Sequence, residues 1–204
     1  MKDVVEEYER RYESFLKTVA DNLAHYLRDC FDGTERIDRI GARAKAPDRF
    51  SEKAKRFDDA GNPKYKVPLT EIQDLIGARV IVFYKDDVEV ATKVVDRYFQ
   101  HIESKEMVPD CQWKFGYFGQ HMILALPKDV LPTGVPESEI PQFFELQIKT
   151  LFQHAWSEAN HDLGYKSPTP LSDDQQRRLA FTAAQAWGAY RVFFELHGET
   201  KAAL

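Results

Sequence analysis

Four groups of residues in this chain combine the types and spacings that chemistry needs. The first is Arg43, Lys45, Lys53, Lys55 and Arg56. Alternate residues on a strand share one face and residues three apart on a helix share another, so these cations would converge on a triphosphate, Arg as a bidentate donor and Lys as a point charge. No glycine-rich phosphate loop accompanies them, and a solvated charged face has the same pattern. The second group, Asp74 and Arg79, flanks the start of an apolar run that follows Gly77. A carboxylate at a strand edge suits Mg²⁺, which takes one or two protein carboxylates and completes its shell with phosphate oxygens and water. A helix-terminal salt bridge is the plain alternative. In the third group Glu145, Gln147 and Lys149 alternate with Leu146 and Ile148, which puts three polar side chains on one face of a strand. That face is either the solvent side of a sheet or the wall of a pocket, where Glu145 joins Asp74 at a metal or takes a proton from an attacking hydroxyl. The fourth group, His154, Glu158 and His161, falls on one helix face beside Trp156. It lacks the adjacent His-Glu of zinc hydrolases, which leaves metal binding and supporting hydrogen bonds both open. Phe115-Gly116-Tyr117-Phe118-Gly119 adds rings on a glycine-flanked loop, suited to stacking on a base or to packing in a core.

Periodicity supplies the elements that must hold these groups. Val4, Tyr8, Tyr12, Phe15, Leu16, Val19, Leu23, Tyr26 and Leu27 recur at three and four, which predicts one long amphipathic helix ending near Asp32-Gly33. Arg36 to Ala44 reads as a strand, and Pro47 opens a basic helix with Phe50, Ala54 and Phe57 inside. Asp59 to Pro63 is a loop. The β-branched and aromatic run Ala78 to Tyr84 predicts a strand, after which Asp86-Asp87 caps a helix carrying Val88, Ala91, Val94, Val95, Tyr98 and Phe99. Two further strands fall at His121 to Leu126 and Phe143 to Ile148. The segment between them holds Pro127, Pro132, Pro136 and Pro141, so it reads as a long and mobile loop. Thr150 begins a helix through His161, and Asp173-Asp174 opens a last one with Leu179, Phe181, Ala184, Trp187, Tyr190 and Phe194. Helices bracketing several strands predict an α/β (α+β) domain around one mixed sheet.

Composition narrows the class. A chain of 204 residues with 43% hydrophobic, 30% charged and 13% aromatic residues has the material for one core, which excludes disordered and collagen-like chains. The expected organisation is a single domain over 1–204, with an N-terminal helix at 1–33, a core at 36–166 and a C-terminal helix at 172–198. No apolar run approaches the ~18 residues of a membrane span, and the first residues lack a signal-peptide core, so a cytoplasmic protein is expected. Cys30 and Cys111 match no disulfide framework or metal-finger spacing and read as ordinary reduced thiols. The net charge of −5 argues against a general DNA- or membrane-coating protein. From Arg36 to Lys66, however, ten basic residues face five acidic ones, a window of +5 that leaves −10 for the rest. A local cation cluster on an acidic protein suits a compact polyanion such as a nucleoside triphosphate.

In this order the clusters resemble the synthetase domain of the RelA/SpoT family, the (p)ppGpp or alarmone synthetases. The resemblance covers roughly Arg36 to Lys166. ARAKAPDRFSEKAKR is similar to the family's Arg-x-Lys segment and the basic helix after it, and DLIGARVIV to its Asp-Ile-x-Gly-Ile-Arg strand. FGYFGQH resembles Gly-Tyr-Arg-Ser-x-His, and FELQIKTLFQHAWSEANHDLGYK is close to Val-Glu-Val-Gln-Ile-Arg-Thr followed by His-x-Trp-Ala-Glu-x-x-His and Tyr-Lys. The resemblance implies a nucleotidyltransferase-like mixed sheet and transfer of the β,γ-pyrophosphate of ATP to the 3′-hydroxyl of GDP or GTP, releasing AMP. It implies that Arg43, Lys45, Lys53 and Arg56 hold the ATP phosphates and that Arg79 stacks on adenine. Asp74 and Glu145 would bind Mg²⁺, with Glu145 also the base for the 3′-hydroxyl, and Tyr117 would stack on the acceptor base. His121, Gln147, Lys149 and His154 would complete the site.

Departures from the family pattern lie on the acceptor side. Phe118, Gly119 and Gln120 stand where Arg-Ser-Leu is usual, and Trp113 stands where a Lys is usual. The hydrolase domain and the long regulatory region of larger family members have no counterpart, so the chain resembles a stand-alone small synthetase. Toxic small synthetases of the same family pyrophosphorylate the 3′-CCA end of tRNA and are neutralised by an antitoxin, and the missing acceptor-side cations fit that alternative. The acidic remainder of the chain argues against it. A third reading is an inactive domain that binds nucleotide or a partner. Small synthetases of the family are often homotetramers, whereas their toxic relatives need not be, so the resemblance leaves the oligomeric state open.

Overall fold

The three- and four-residue spacing of apolar side chains from Val4 to Leu27 folds as a helical rod in a computed structural model that describes residues 2–107, 119–165 and 170–202. The rod is α1 (Lys2–Arg11), a π-helical turn (Tyr12–Leu16) and α2 (Lys17–Cys30). Tyr8, Phe15, Leu16, Val19, Leu23 and Leu27 form its buried stripe. Gly33, at φ 72°, takes the left-handed conformation that turns the chain out of the helix.

Five strands follow: β1 (Ile37–Ala44), β2 (Ile76–Val82), β3 (His101–Met107), β4 (Gly119–Ala125) and β5 (Phe143–Thr150). They hydrogen-bond in the order β1-β2-β5-β4-β3, with β2 and β5 parallel and every other pair antiparallel. Alternation along the strands makes the two faces chemically different. Ile76, Ala78, Val80 and Val82 of β2, with Phe144, Leu146 and Ile148 of β5, point into the main core. There they meet α2 and α5 (Lys85–Tyr98, the helix after the short α4 at Pro68–Glu71), whose Leu23, Leu27, Ala91 and Val95 are fully buried. Each such Leu, Ile or Val contributes about 1.5–3 kcal/mol by leaving water, so this layer holds the sheet flat against its helices. The opposite face carries Arg79, Glu145, Gln147 and Lys149. Helix α6 (Leu151–Asn160) covers its β2–β5 end, and α7 (Asp173–Ala202) packs on α6.

Several expectations shift. The strand predicted from Ala78 to Tyr84 starts two residues earlier and ends at Val82, because the chain leaves the sheet at an exposed Phe83. Asp86 and Asp87 lie in the first turn of α5, and Asp87 caps the helix from there as expected. The buried Asp87 carboxylate reaches back to accept the Tyr84 N–H at 3.0 Å and the Arg36 Nε–H at 2.8 Å, which ties down the positive-φ Arg36. Helix α3 (Pro47–Ala54) starts on its proline but stops before Phe57, which is 67% exposed and bridges Pro63 instead of joining the core. The proline-rich segment is pinned to the N-terminal rod. Asn22 donates to the Val130 carbonyl and Arg11 to the Glu139 carbonyl, both at 3.0 Å, and Val130 is buried. Among the described residues no helix is long and apolar enough to cross a membrane.

Candidate active site

Strand register brings the sequence clusters into one row. Gly77 lies between Arg43 of β1 and Glu145 of β5, and Arg79 lies between Gly41 and Gln147. His121 of β4 sits opposite Gln147 from the other side. A Cβ built on Gly41 or Gly77 would meet nothing within 4 Å, so the floor between the charged side chains is open at both positions.

Asp74 anchors one end of the row, just ahead of β2. Its Oδ2 accepts from Lys45 Nζ and Lys53 Nζ, each at 2.9 Å. Burial pushes this carboxyl up, but the two ammonium groups outweigh it and hold Asp74 below the usual carboxylate range. Its Oδ1 is buried with no hydrogen-bond partner. The sequence pairing of Asp74 with Arg79 as a salt bridge is not what forms, since Arg79 turns to Glu158 at 2.8 Å. Lys45 follows β1 and Lys53 ends α3, and α1 braces both. Tyr8 donates its hydroxyl to the Lys45 carbonyl at 2.6 Å and stacks on Phe50 of α3 with centroids 3.9 Å apart. Arg43 and Arg56 are exposed, with no ion pair among the described residues, which leaves both guanidinium groups open to an anion.

Glu145 anchors the centre. His121 Nδ1 lies 2.9 Å from one carboxylate oxygen, and Gln147 donates to the other at 3.0 Å. Burial pushes Glu145 up and His121 pulls it down further still, so it sits below the usual range despite the opposing charge of Asp74. Both carboxylates are therefore ionised at neutral pH. Two ionised carboxylates close enough to feel each other's charge, one with an unsatisfied buried oxygen, form a donor set that fits Mg²⁺ with phosphate and water as the remaining ligands.

Lys149 is only 5% exposed, and burial first, with Arg79 second, pushes its ammonium down to about 8. It donates to Ser157 of α6 at 3.4 Å. Burial and then Arg79 also push His154 down, and its Nδ1 is buried without a hydrogen bond. The metal reading of His154, Glu158 and His161 is not what the fold builds. His161 lies past the end of α6, exposed, and the described residues include no group of three or more His, Cys, Asp or Glu that could hold a metal ion. Tyr117, with Phe115, Phe118, Trp113 and Cys111, lies outside the described residues.

Sequence reasoning missed two contributors. Tyr8 was visible only as an apolar helix position, because nothing local reveals that its hydroxyl meets a carbonyl 37 residues away. The Arg79–Glu158 pair spans 79 residues, and only the strand-to-helix packing of β2 on α6 brings it together.

The model of the region found in RelA / SpoT proteins matches residues 42–169. GTP pyrophosphokinase YjbM of Bacillus subtilis (strain 168) is 24% identical over 172 residues, spanning 82% of this chain and 75% of its own. A GTP pyrophosphokinase family protein from Streptococcus pneumoniae superposes with a TM-score of 0.76 at 22% identity, over 97% of this chain and 96% of that one. The small alarmone synthetase 1 from Bacillus subtilis bound to its product pppGpp superposes with a TM-score of 0.73 at 21% identity, over 93% of this chain and 98% of that one. These structures share the five-stranded fold described above.

Proposed function

The chain belongs to the RelA/SpoT family, and from that premise we propose that it transfers the β,γ-pyrophosphate of ATP to the 3′-hydroxyl of GDP or GTP. The observation that carries this reading is the row itself. The ionised Asp74 is paired with Lys45 and Lys53, and the ionised Glu145 lies across Gly77 from the open Arg43. In the reaction the 3′-oxygen of the acceptor attacks the β-phosphorus of ATP. The bond from that phosphorus to the α–β bridging oxygen breaks, AMP leaves with the oxygen, and the hydroxyl proton passes to Glu145. Phosphoryl transfer asks the protein chiefly for positioning and charge neutralisation, which is what this row offers. Lys45, Lys53, Arg43 and Arg56 hold the triphosphate, and Arg79 stacks on adenine. His121 and Gln147 hold the Glu145 carboxylate in place, and Tyr117 stacks on the acceptor base. Asp74 and Glu145 would hold Mg²⁺, which supplies neutralisation of phosphate charge when bound.

The acceptor is the finer point. GDP and GTP are favoured by the compact +5 cluster on a chain whose remainder is −10, whereas a tRNA body needs a wide basic surface. Phe118, Gly119, Gln120 and Trp113 favour the tRNA 3′ end, with a protein antitoxin as the further partner, because acceptor-side cations are absent there. ATP labelled on its γ-phosphate, offered with Mg²⁺ and separately with GDP, GTP, AMP, ATP or deacylated tRNA, decides between them. Label on a guanine nucleotide is the expected result. Label on tRNA alone overturns the acceptor, and label on none moves the protein to a binding role.

A further inference from the structure

Glu158 belongs to none of the roles above, yet it makes the firmest contact in the adenine half of the site. Its Oε1 accepts from Arg79 at 2.8 Å, and the same oxygen stands 4.0 Å from His154 Nδ1, too far for a hydrogen bond. Arg79 is therefore its partner. The Arg79 side chain is 24% exposed and Glu158 53% exposed, so the pair sits at the mouth of the row rather than in the core. Helix α6 is held from behind, where Trp156 donates to Thr182 of α7 at 3.2 Å and Phe152 packs on Phe193 at 5.5 Å. At its start, Thr150 and Gln153 cap each other. The carboxylate thus reaches Arg79 from a fixed element.

A guanidinium is planar, pairs with carboxylates through its edge and stacks on rings through its face. The Nη1–Oε1 contact therefore restrains the guanidinium plane without consuming its face. We propose that Glu158 is a positioning residue that holds the Arg79 plane ready for the adenine ring, acting on ATP affinity and not on the transfer step. The inference rests on the reading of this site as an ATP site with Arg79 against adenine. It separates Glu158 from Glu145, whose carboxylate faces His121 and Gln147 and acts at the reacting end.

The test begins with binding, which needs no turnover. Titrating α,β-methylene-ATP into the wild type and into Glu158→Ala and Glu158→Gln by calorimetry should give Kd values about three- to tenfold weaker in the alanine variant, the range expected for a partly exposed ion pair that orients a cation over a ring. Glutamine keeps an acceptor and should fall between. Arg79→Lys keeps the charge but loses the plane, so adding Glu158→Ala to it should cost no further affinity. In turnover, KM for ATP should rise in Glu158→Ala while kcat and KM for GDP stay within about twofold, as for loss of an interaction made equally in ground and transition states. A wild type that does not bind the analogue defeats the reading of the site itself. A wild type that binds it while Glu158→Ala binds equally, or additive effects of the two substitutions, overturns the role of Glu158 alone.

Discussion

Burial leaves the Lys149 ammonium titrating at about 8, against an ordinary lysine value of 10.5, with desolvation the first cause and Arg79 the second. Below about 8 both the folded and unfolded chains carry this charge, so the folded state bears the whole burial penalty. Between about 8 and 10.5 the folded form has lost its proton while the unfolded form keeps it, and the penalty shrinks; above 10.5 it is gone. Lys149→Met should therefore raise the melting temperature at pH 7, and the gain should shrink at pH 10. Thermal unfolding at the two pH values checks this, and an equal gain at both would show that packing rather than charge is responsible. A cation kept against stability in the row proposed to face phosphate is what an active site would retain, since such sites commonly trade stability for function. The alternation of Glu145, Gln147 and Lys149 was legible because a strand has a period of two, which puts all three on one face whatever the register. What covers them was not legible, because that depends on α6 folding back over the β2 and β5 strands at the sheet centre.

At the level of elements, the corner where β1 passes into α3 carries Lys45 and Lys53, the lysines proposed to hold phosphate, and its support comes from the N-terminal helix. Tyr8→Phe removes the hydroxyl that pairs with the Lys45 carbonyl while keeping the ring on Phe50. The expected loss is about 0.5–1.5 kcal/mol of unfolding free energy by urea denaturation, since a part-buried carbonyl loses its donor. KM for ATP should rise with it, because Lys45 sits on the loosened backbone. A loss of stability with unchanged KM would show that the corner holds its lysines without this brace. The long helices and the central strands were readable, since their apolar spacing is set by the core they share. Strand β3 was not: His101 to Met107 is polar and lies at the sheet edge, where charge protects against further pairing and erases the hydrophobic signal. The proline-rich segment was readable as lacking regular strand or helix but not as fixed, because its anchors are carbonyls at Val130 and Glu139 that accept from the distant Asn22 and Arg11.

Across the whole molecule, an acidic chain sets Arg43, Arg79 and Lys149 on one sheet face with Lys45 and Lys53 beside Asp74 at its border, and the described residues of the motifs that carry the family resemblance include this group. Asp74, Arg79, Glu145, Gln147 and His121 come from three strands and a loop; register makes the strand residues neighbours, and Asp74 joins them from just ahead of β2 through Lys45 and Lys53. Their order along the chain was legible through the resemblance. Their geometry required the parallel pairing of β2 with β5, which no local pattern specifies. In the proposed reaction Glu145 takes the acceptor's proton, and the most direct measurement is product formation by Glu145→Gln beside the wild type, with ATP, GDP and Mg²⁺. The wild type should release one AMP for each guanosine 3′-pyrophosphate formed. The variant should lose about 10²–10⁴-fold in rate, the range for removing a general base, while still binding α,β-methylene-ATP. A variant that turns over within a few-fold of the wild type would contradict the account.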